Sequence, residues 1–217
     1  MAVTFLDLLK SAYSNTGQQG EVYSVDDPGL PSILAKALSA AWVSLQEDNS
    51  KDWTFTRDVV EFNLSPGRVE YTPDEIFGTG VESFGSFVSV LHEKRPVVET
   101  DSVDFKLNIA DEEPKAPWRW AVCFRTGNLF VNKVAEVTPI NIIYETKTQV
   151  LTDNDDVVRL IDKHTQAIMW LGLLNYSMDI GNRNLQIKAD EMYRTAYSSF
   201  CRKYNKSKTM TTKLQIV

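Results

Sequence analysis

This sequence has few cysteines and no long hydrophobic run, and each scarcity excludes a class of protein. The two cysteines among 217 residues, Cys123 and Cys201, form no CxxC pair, so we expect buried thiols in a reducing compartment and no disulfide framework. The apolar run Ala167–Leu174 is far shorter than the roughly 20 residues that cross a bilayer. The N-terminal stretch Met1–Lys10 lacks the basic start and cleavage site of a signal peptide. It predicts a short amphipathic helix in a soluble protein.

Sequence signatures of catalysis, cofactors and metals are also lacking. Gly80–Gly85 has the glycine spacing of a phosphate-binding loop without its lysine, and no GxSxG elbow occurs. The only histidines, His92 and His164, are isolated, and we expect them at the surface or at edges. Asp153–Asp156 begins like a calcium loop, but valines follow where a ligand and the turn glycine are required. We therefore predict no catalytic residue, no metal and no cofactor, although a catalytic triad with dispersed members stays open.

Helical patterns occupy both ends of the chain. Pro31–Gln46 places apolar residues on one face at helical spacing, and Pro31 suits an opening turn. A second block from about Asp155 to Tyr204 predicts two helices separated at Gly181-Asn182, with Asp153 or Asn154 capping the first. The apolar stripes of the first and last helices are formed by Leu34, Leu38, Ala41, Trp42 and Leu45, and by Leu185, Ala189, Met192, Tyr193, Ala196, Tyr197, Phe200 and Tyr204. We expect these terminal helices to pack together as a bundle.

The middle of the chain is rich in strand patterns. Trp53–Leu64 followed by Ser65-Pro-Gly67 and Tyr71 predicts a hairpin. Further strand candidates are Ser86–Leu91, Val103–Ile109, Trp118–Phe124, Asn128–Val131 and Ile140–Glu145. The predicted fold class is α+β: a helical bundle of residues 1–50 and 150–205, a β-rich antiparallel insertion of residues 51–149, and an extended C-terminal tail of residues 206–217.

Charge is distributed unevenly along the chain. From Met192 to Val217 there are six basic residues and no acidic one, whereas the preceding residues carry 17 basic and 29 acidic side chains. An acidic body disfavours generic nucleic-acid binding, which requires a continuous basic surface. The basic tail suits an acidic protein partner, and a solvated terminus is the alternative.

Two groups of aromatic residues are candidates for core or interface positions. We expect Trp42, Trp53 and Phe55 to lie in the core. In a strand, alternation would place Trp118 and Trp120 on one face with Arg119 opposite. If that face does not pack against the bundle, the two indoles are candidate interface residues.

Several stretches together resemble the head-to-tail adaptor proteins of tailed bacteriophages, particularly the tail accessory factor beneath the portal of short-tailed phages. The matching features are the helix ending Ala-Leu-Ser-Ala-Ala-Trp-Val-Ser-Leu-Gln46, then Trp53-Thr-Phe55, an extended region ending at Tyr71, Thr138–Glu145, and two helices of which the last is rich in Tyr and Phe. The resemblance covers residues 30–205 and is weakest over residues 72–136.

The resemblance implies a structural virion protein without catalysis. Such adaptors assemble into a ring, commonly of about twelve copies, that extends the portal channel, retains packaged DNA and carries tail or nozzle proteins. Implied partners are the portal, the tail, other copies of the chain, and double-stranded DNA that passes through the lumen without specific binding. The chain would reside in the virion neck or tail, and in the host cytoplasm during assembly, with no membrane contact.

In these adaptors a C-terminal extension commonly docks on the portal. The matching residues here are Lys206, Lys208, Lys213, Leu214, Ile216 and Val217. The lysines suit acidic groups and the apolar residues suit a groove or a sheet edge. Two other functions remain open: a non-viral α+β interaction module and a phage-associated hydrolase.

Overall fold

The computed structural model describes residues 2–48, 50–51, 53–108 and 113–205. It is a mixed α+β protein with two compact units. Unit 1 combines Met1–Phe55 with Thr148–Val217, and unit 2 is Thr56–Lys147. The docking residues predicted from sequence, 206–217, lie outside the described residues.

The described part of unit 1 contains four α-helices, and a side-chain cap marks the start of the first and the last of them. Thr4 begins the first helix with a capping box to Asp7, and the side chain of Asn182 accepts a hydrogen bond from the Leu185 N–H at the start of the last. These caps satisfy backbone donors that a helix start leaves unpaired. The helices are α1 (Phe5–Asn15), α2 (Leu30–Gln46), α5 (Gln166–Asp179) and α6 (Arg183–Tyr204).

The core of unit 1 lies between the apolar faces of these helices. As the spacing predicts, Leu34, Leu38 and Trp42 of α2 are fully buried. The expectation that α5 is apolar on nearly all sides agrees with its burial, because Ala167–Trp170 and Leu173 are all inside. The stripe of α6 is less deeply buried than predicted: Phe200 is inside, but Met192 is 42% exposed.

Gly172 allows α5 to approach α2 closely. A Cβ atom added there would lie 2.7 Å from Leu38 Cδ2 and 3.1 Å from Leu38 Cα. The first contact is with the end of a flexible side chain, but the second is with backbone, so the helices would have to separate slightly. Close packing of protein interiors makes such a shift costly.

Gly172→Ala is expected to destabilise unit 1 by about 1–2 kcal/mol, because overpacking outweighs the gain in helix propensity. Urea unfolding followed by circular dichroism at 222 nm measures the change. Gly80→Ala is the matched control, since a Cβ at Gly80 meets nothing within 4 Å and its backbone does not need glycine. Equal stability of the two variants would contradict the close-approach argument.

Residues 151–161 are not helical, and only a 3₁₀ turn at Asp162–His164 precedes α5, so the predicted helix start near Asp155 is wrong. The carbonyls of Asp156 and Asn154 accept hydrogen bonds from the N–H groups of Phe5 (2.7 Å) and Leu6 (3.2 Å). Val158 N–H donates to Val3 O at 3.1 Å. This segment therefore completes the start of α1, and its backbone groups are not available for a helix of its own.

Asp153 and Asn154 have turn and tertiary roles in place of the predicted helix capping. The N–H groups of Thr152 and Asp153 donate to Asp156 Oδ2 at 2.6 and 2.8 Å. Asn154 Oδ1 accepts from Val25 N–H at 2.8 Å. The contacts with Asp156 form a local turn, whereas the contact between Asn154 and Val25 joins residues 129 positions apart and leaves no signal in local sequence.

The described part of unit 2 contains two four-stranded sheets. One has the order β1-β8-β3-β4 and the other β2-β7-β6-β5. The strands are β1 (Arg57–Leu64), β2 (Glu70–Tyr71), β3 (Phe84–His92), β4 (Arg95–Pro96), β5 (Val98–Glu99), β6 (Arg119–Val122), β7 (Leu129–Val131) and β8 (Thr138–Thr146). The strands predicted near β3, β6, β7 and β8 are present, and all pairs are antiparallel except β5 with β6, which is parallel.

The predicted hairpin after Trp53 does not form. Strand β1 pairs with β8 along its whole length, whereas β2 pairs with β7 in the other sheet. The Ser65-Pro-Gly67 turn instead moves the chain from one sheet to the other, and Tyr71 Oη accepts a hydrogen bond from Ser65 N–H at 2.9 Å. Partner choice depends on long-range side-chain packing, which alternation alone does not encode.

The stretch predicted as a strand over Val103–Ile109 is a helix, α4 (Ser102–Asn108), in its described part. The Asp101 side chain accepts from Val103 N–H at 2.8 Å, as a helix-starting residue does. Phe105 is fully buried and stacks on Phe130 at 5.8 Å. In the described part of unit 2, the other α-helix is α3 (Pro73–Phe77), which is followed by a 3₁₀ turn.

Candidate partner-binding surfaces

An aromatic cluster in unit 1 holds the end of α6. The ring of Phe55 lies 5.3 Å from that of Trp42, 5.5 Å from that of Phe200 and 5.4 Å from that of Tyr204. Trp53 joins the cluster at 4.9 Å from Phe200 and is 3% exposed. The expectation that Trp42 and Trp53 are core residues is confirmed, and Phe55, partly buried, packs against them.

Main-chain hydrogen bonding adds to this anchor. Thr54 N–H donates to Tyr204 O at 2.9 Å, and Asn205 forms an antiparallel bridge with Trp53. The last described residue is therefore paired to the strand-like stretch that precedes unit 2 in the sequence. Whatever the residues after Asn205 bind, their starting point is fixed on the core of unit 1.

A long open groove runs along α2 in unit 1. Its volume is about 1030 Å³. Its floor on α2 is made of small side chains, and the segment around Val150 forms the opposite side. The residues that line it are Phe5, Val25, Asp26, Ser32, Ala35, Lys36, Ser39, Ala40, Val43, Ser44, Glu47, Asp48, Val150, Leu151 and Thr152.

The groove is acidic at the end where α2 stops. Glu47 and Asp48 lie there, and Asp26 also lines the groove, against a single lysine, Lys36. Hydrogen bonds from Ser50 lower the pKa of Asp48, so its carboxylate stays charged at neutral pH. Tyr197 Oη donates to Asp48 Oδ2 at 3.1 Å and ties this end of the groove to α6. The result is a channel of small side chains with negative charge at its end.

The predicted interface pair Trp118 and Trp120 is not an exposed pair. Trp120 is 2% exposed in the core of unit 2, and its Nε1 donates to Val97 O at 3.2 Å. It is therefore not available to a partner, and the interpretation as an interface residue is wrong for it. Trp118 is half-buried, and the Arg119 guanidinium lies 4.2 Å from its ring centre. The Arg119 guanidinium therefore stacks over the Trp118 ring.

The histidines and cysteines also differ from expectation. His164 is 4% exposed, packed edge-on against Tyr204 at 5.1 Å, so its predicted surface position is wrong. His92 is half-buried on β3. Both thiols are free, but only Cys123 is buried; Cys201 on α6 is intermediate. Isolated residues carry no periodic signal, so sequence does not reveal which ones become enclosed.

Burial of His164 makes stability sensitive to pH. Desolvation, followed by the nearby charges of Lys163 and Lys203, lowers its pKa below the ordinary value of 6.5. The unfolded chain then binds the proton more readily than the folded chain, so this contribution to stability is complete above about pH 6.5 and is lost as pH falls below it. We expect the wild-type midpoint in urea to fall between pH 7.5 and 5.5 more than that of His164→Phe, which retains an aromatic ring.

His92→Phe is the matched control for this measurement, because it removes the other histidine of the chain. If His92→Phe flattened the curve as much as His164→Phe, the effect would follow the number of histidines and not the burial of one of them.

No group of three His, Cys, Asp or Glu side chains suited to hold a metal occurs among the described residues. In the same part of the chain, no helix is long and apolar enough to span a bilayer. No family model matches this chain, and a comparison with curated proteins found no match.

Proposed function

We propose that this chain is a head-to-tail adaptor of a tailed bacteriophage. Its copies would form a ring beneath the portal, extend the DNA channel, retain the packaged genome and carry the tail. In this proposal the helices of unit 1 form the bundle, unit 2 is the insertion, and residues 206–217 are the arm that docks on the portal. The starting point is the sequence resemblance over residues 30–205.

The observation that carries the proposal is the anchored end of α6. An arm holds two proteins together only if its base is part of a stable core. Phe200 is fully buried, Tyr204 is 8% exposed, and Tyr204 O accepts from Thr54 N–H. A partner that binds residues 206–217 is therefore linked through a short main-chain path to the core of unit 1. This base is what a docking arm requires.

Charge supports the same assignment. Residues 206–217 carry three lysines and no acidic residue, while the remainder has 20 basic and 29 acidic side chains. The arm suits an acidic site on a partner. A predominantly acidic body repels phosphate, so DNA can pass along it without being retained by nonspecific contacts.

Unit 2 offers a surface suited to contact between copies. Strand β1 is at the edge of its sheet and has eight residues. Val59 on this strand is 55% exposed. A long edge strand with an exposed apolar side chain is a site where another chain can add to a sheet. A ring requires such a contact between two different surfaces of neighbouring copies.

Co-expression with the portal protein of the same phage genome tests this function. The tagged chain is captured by affinity, the portal is quantified by mass spectrometry, and the complex is viewed by negative-stain electron microscopy. We expect stoichiometric recovery of portal and an added ring at one end of it. The untagged portal passed over the same resin is the control.

A clear negative result is also available from this experiment. Absence of portal from the captured material, together with a monomer by light scattering at micromolar concentration, would contradict the adaptor assignment. It would favour the non-viral interaction module, which has no reason to form a ring.

A further inference from the structure

We infer that the groove along α2 is a binding site for residues 206–217 of the same chain. This basic segment, Lys206–Val217, would lie in the groove when no partner holds it. The groove would then be the resting position of a segment that a partner has to displace. The inference stands on the groove and the segment alone, and it holds whether or not the partner is a portal.

The segment starts close enough to reach the groove. Asn205 is paired with Trp53, and Asp48 at the acidic end of the groove is five residues earlier in the chain, a separation of at most about 17 Å. From Glu47 back to Ser32, α2 rises about 22 Å. Twelve extended residues span about 40 Å. The segment is thus long enough to cross to the acidic end and to follow most of the helix.

The order of residue types in the segment fits the order along the groove. Lys206 and Lys208 come first, on the approach to the acidic end formed by Glu47 and Asp48. Leu214, Ile216 and Val217 come last. After about five residues used to reach Asp48, Leu214 falls about 13 Å further on, beside Ala40.

The floor of the groove suits apolar side chains in this position. Ala35, Ser39 and Ala40 leave room beside α2, and Val43 and Val150 supply apolar contact. Val150 is 56% exposed when the groove is open. Covering it with Leu214 or Ile216 would remove apolar surface of both partners from water.

Other occupants fit less well. A second copy would have to present a ridge narrow enough for the groove and basic enough for its end. Residues 206–217 combine basic charge for the acidic end with apolar residues for the floor, and they are covalently attached to unit 1 through Asn205. This covalent link also raises the effective concentration of the segment at the groove to about the millimolar range, so even a weak interaction keeps the groove occupied.

Disulfide trapping tests the inference. The full-length chain carries Ala40→Cys and Leu214→Cys in a background with Cys123→Ser and Cys201→Ser. An equal mixture of ¹⁴N- and ¹⁵N-labelled chains is oxidised mildly and digested, and the joined peptides are identified by mass spectrometry. We expect joined peptides in which both halves carry the same label, formed at least about ten times faster than in the control.

The control pairs Leu214→Cys with Ile187→Cys. Ile187 is 60% exposed on α6, about 27 Å along the helix from Asn205 and thus also within reach. Equal rates for the two pairs would show random encounters and would overturn the inference. Joined peptides with mixed labels would assign the groove to the segment of another copy and would overturn the own-chain occupant.

A second measurement avoids engineered cysteines. Glu47→Lys reverses one charge at the acidic end, and we expect trypsin to cleave after Lys206 and Lys208 about fivefold faster than in the wild type. Glu191→Lys, an exposed change of equal charge on α6, should leave the rate unchanged. Cleavage that is equally fast in all three proteins would contradict the docked segment.

Discussion

Under the proposed adaptor function, deletion of residues 206–217 is expected to weaken binding to the portal by at least about 100-fold. The deleted segment contains three lysines and, at its end, the apolar residues Leu214, Ile216 and Val217. Exposed ion pairs give about 0.2–1 kcal/mol each, and a buried Leu, Ile or Val gives about 1.5–3 kcal/mol. The lower bound of this sum, about 5 kcal/mol, exceeds the 2.7 kcal/mol that corresponds to 100-fold. Biolayer interferometry of the two proteins against immobilised portal measures the difference.

The same deletion should change thermal stability by only a few degrees. In the described part of the chain, the core of unit 1 ends at Tyr204, and the pairing of Tyr204 O with Thr54 N–H is retained. A loss of binding with an unchanged melting curve assigns the segment to docking. Wild-type affinity in the truncated protein would refute the arm.

Two further variants separate the contributions within the segment. Replacement of the three lysines by Ala should reduce binding most at low salt, because exposed ion pairs are screened at high ionic strength. Replacement of Leu214, Ile216 and Val217 by Ser should reduce it at all salt concentrations. If both variants bind like the wild type, the contacts with the partner are elsewhere.

Trp42→Ala is expected to destabilise unit 1 by about 3–5 kcal/mol. Trp42 has no exposed surface, stacks on Phe55, and donates from Nε1 to Gln149 Oε1 at 3.1 Å. Gln149 N–H in turn donates to Gln46 Oε1 at 2.8 Å, so this network joins α2 to the segment after unit 2. The substitution leaves a cavity and a carbonyl group without its donor.

Urea unfolding monitored at 222 nm measures this loss. Natural domains have free energies of unfolding of only about 5–15 kcal/mol. The substitution would therefore remove a large part of the free energy of unfolding. Trp42→Phe should recover more than half of it, since the ring still stacks on Phe55. Ile33→Ala is the control on the same helix, 52% exposed, and should change stability by less than about 0.5 kcal/mol. A near-neutral Trp42→Ala would contradict its place in the core.

The sequence by itself determined the helices with a continuous apolar stripe. α2 begins within one residue of the predicted Pro31 and ends at Gln46, and the break at Gly181-Asn182 separates α5 from α6. Each of these depends on spacing and capping within a few residues. Helix propensity and capping within a few residues decide these helix boundaries, so the local sequence reveals them.

Strand existence was partly predictable, but strand partners were not. β3, β6, β7 and β8 follow the predicted stretches, whereas β1 pairs with β8, some 80 residues away in sequence, and not with its neighbour β2. α4 replaced a predicted strand, because a short apolar stretch fits either structure until its neighbours are known.

Only the tertiary structure decided which single residues are enclosed. Trp120 and His164 are buried because other parts of their own units cover them, and Asp153 and Asn154 are in turns because α1 uses the backbone of their segment. The groove along α2 likewise requires the segment around Val150 as its second side. The basic charge of residues 206–217 can be read from the sequence. The acidic groove exists only in the folded chain, because folding brings α2 and the segment around Val150 together.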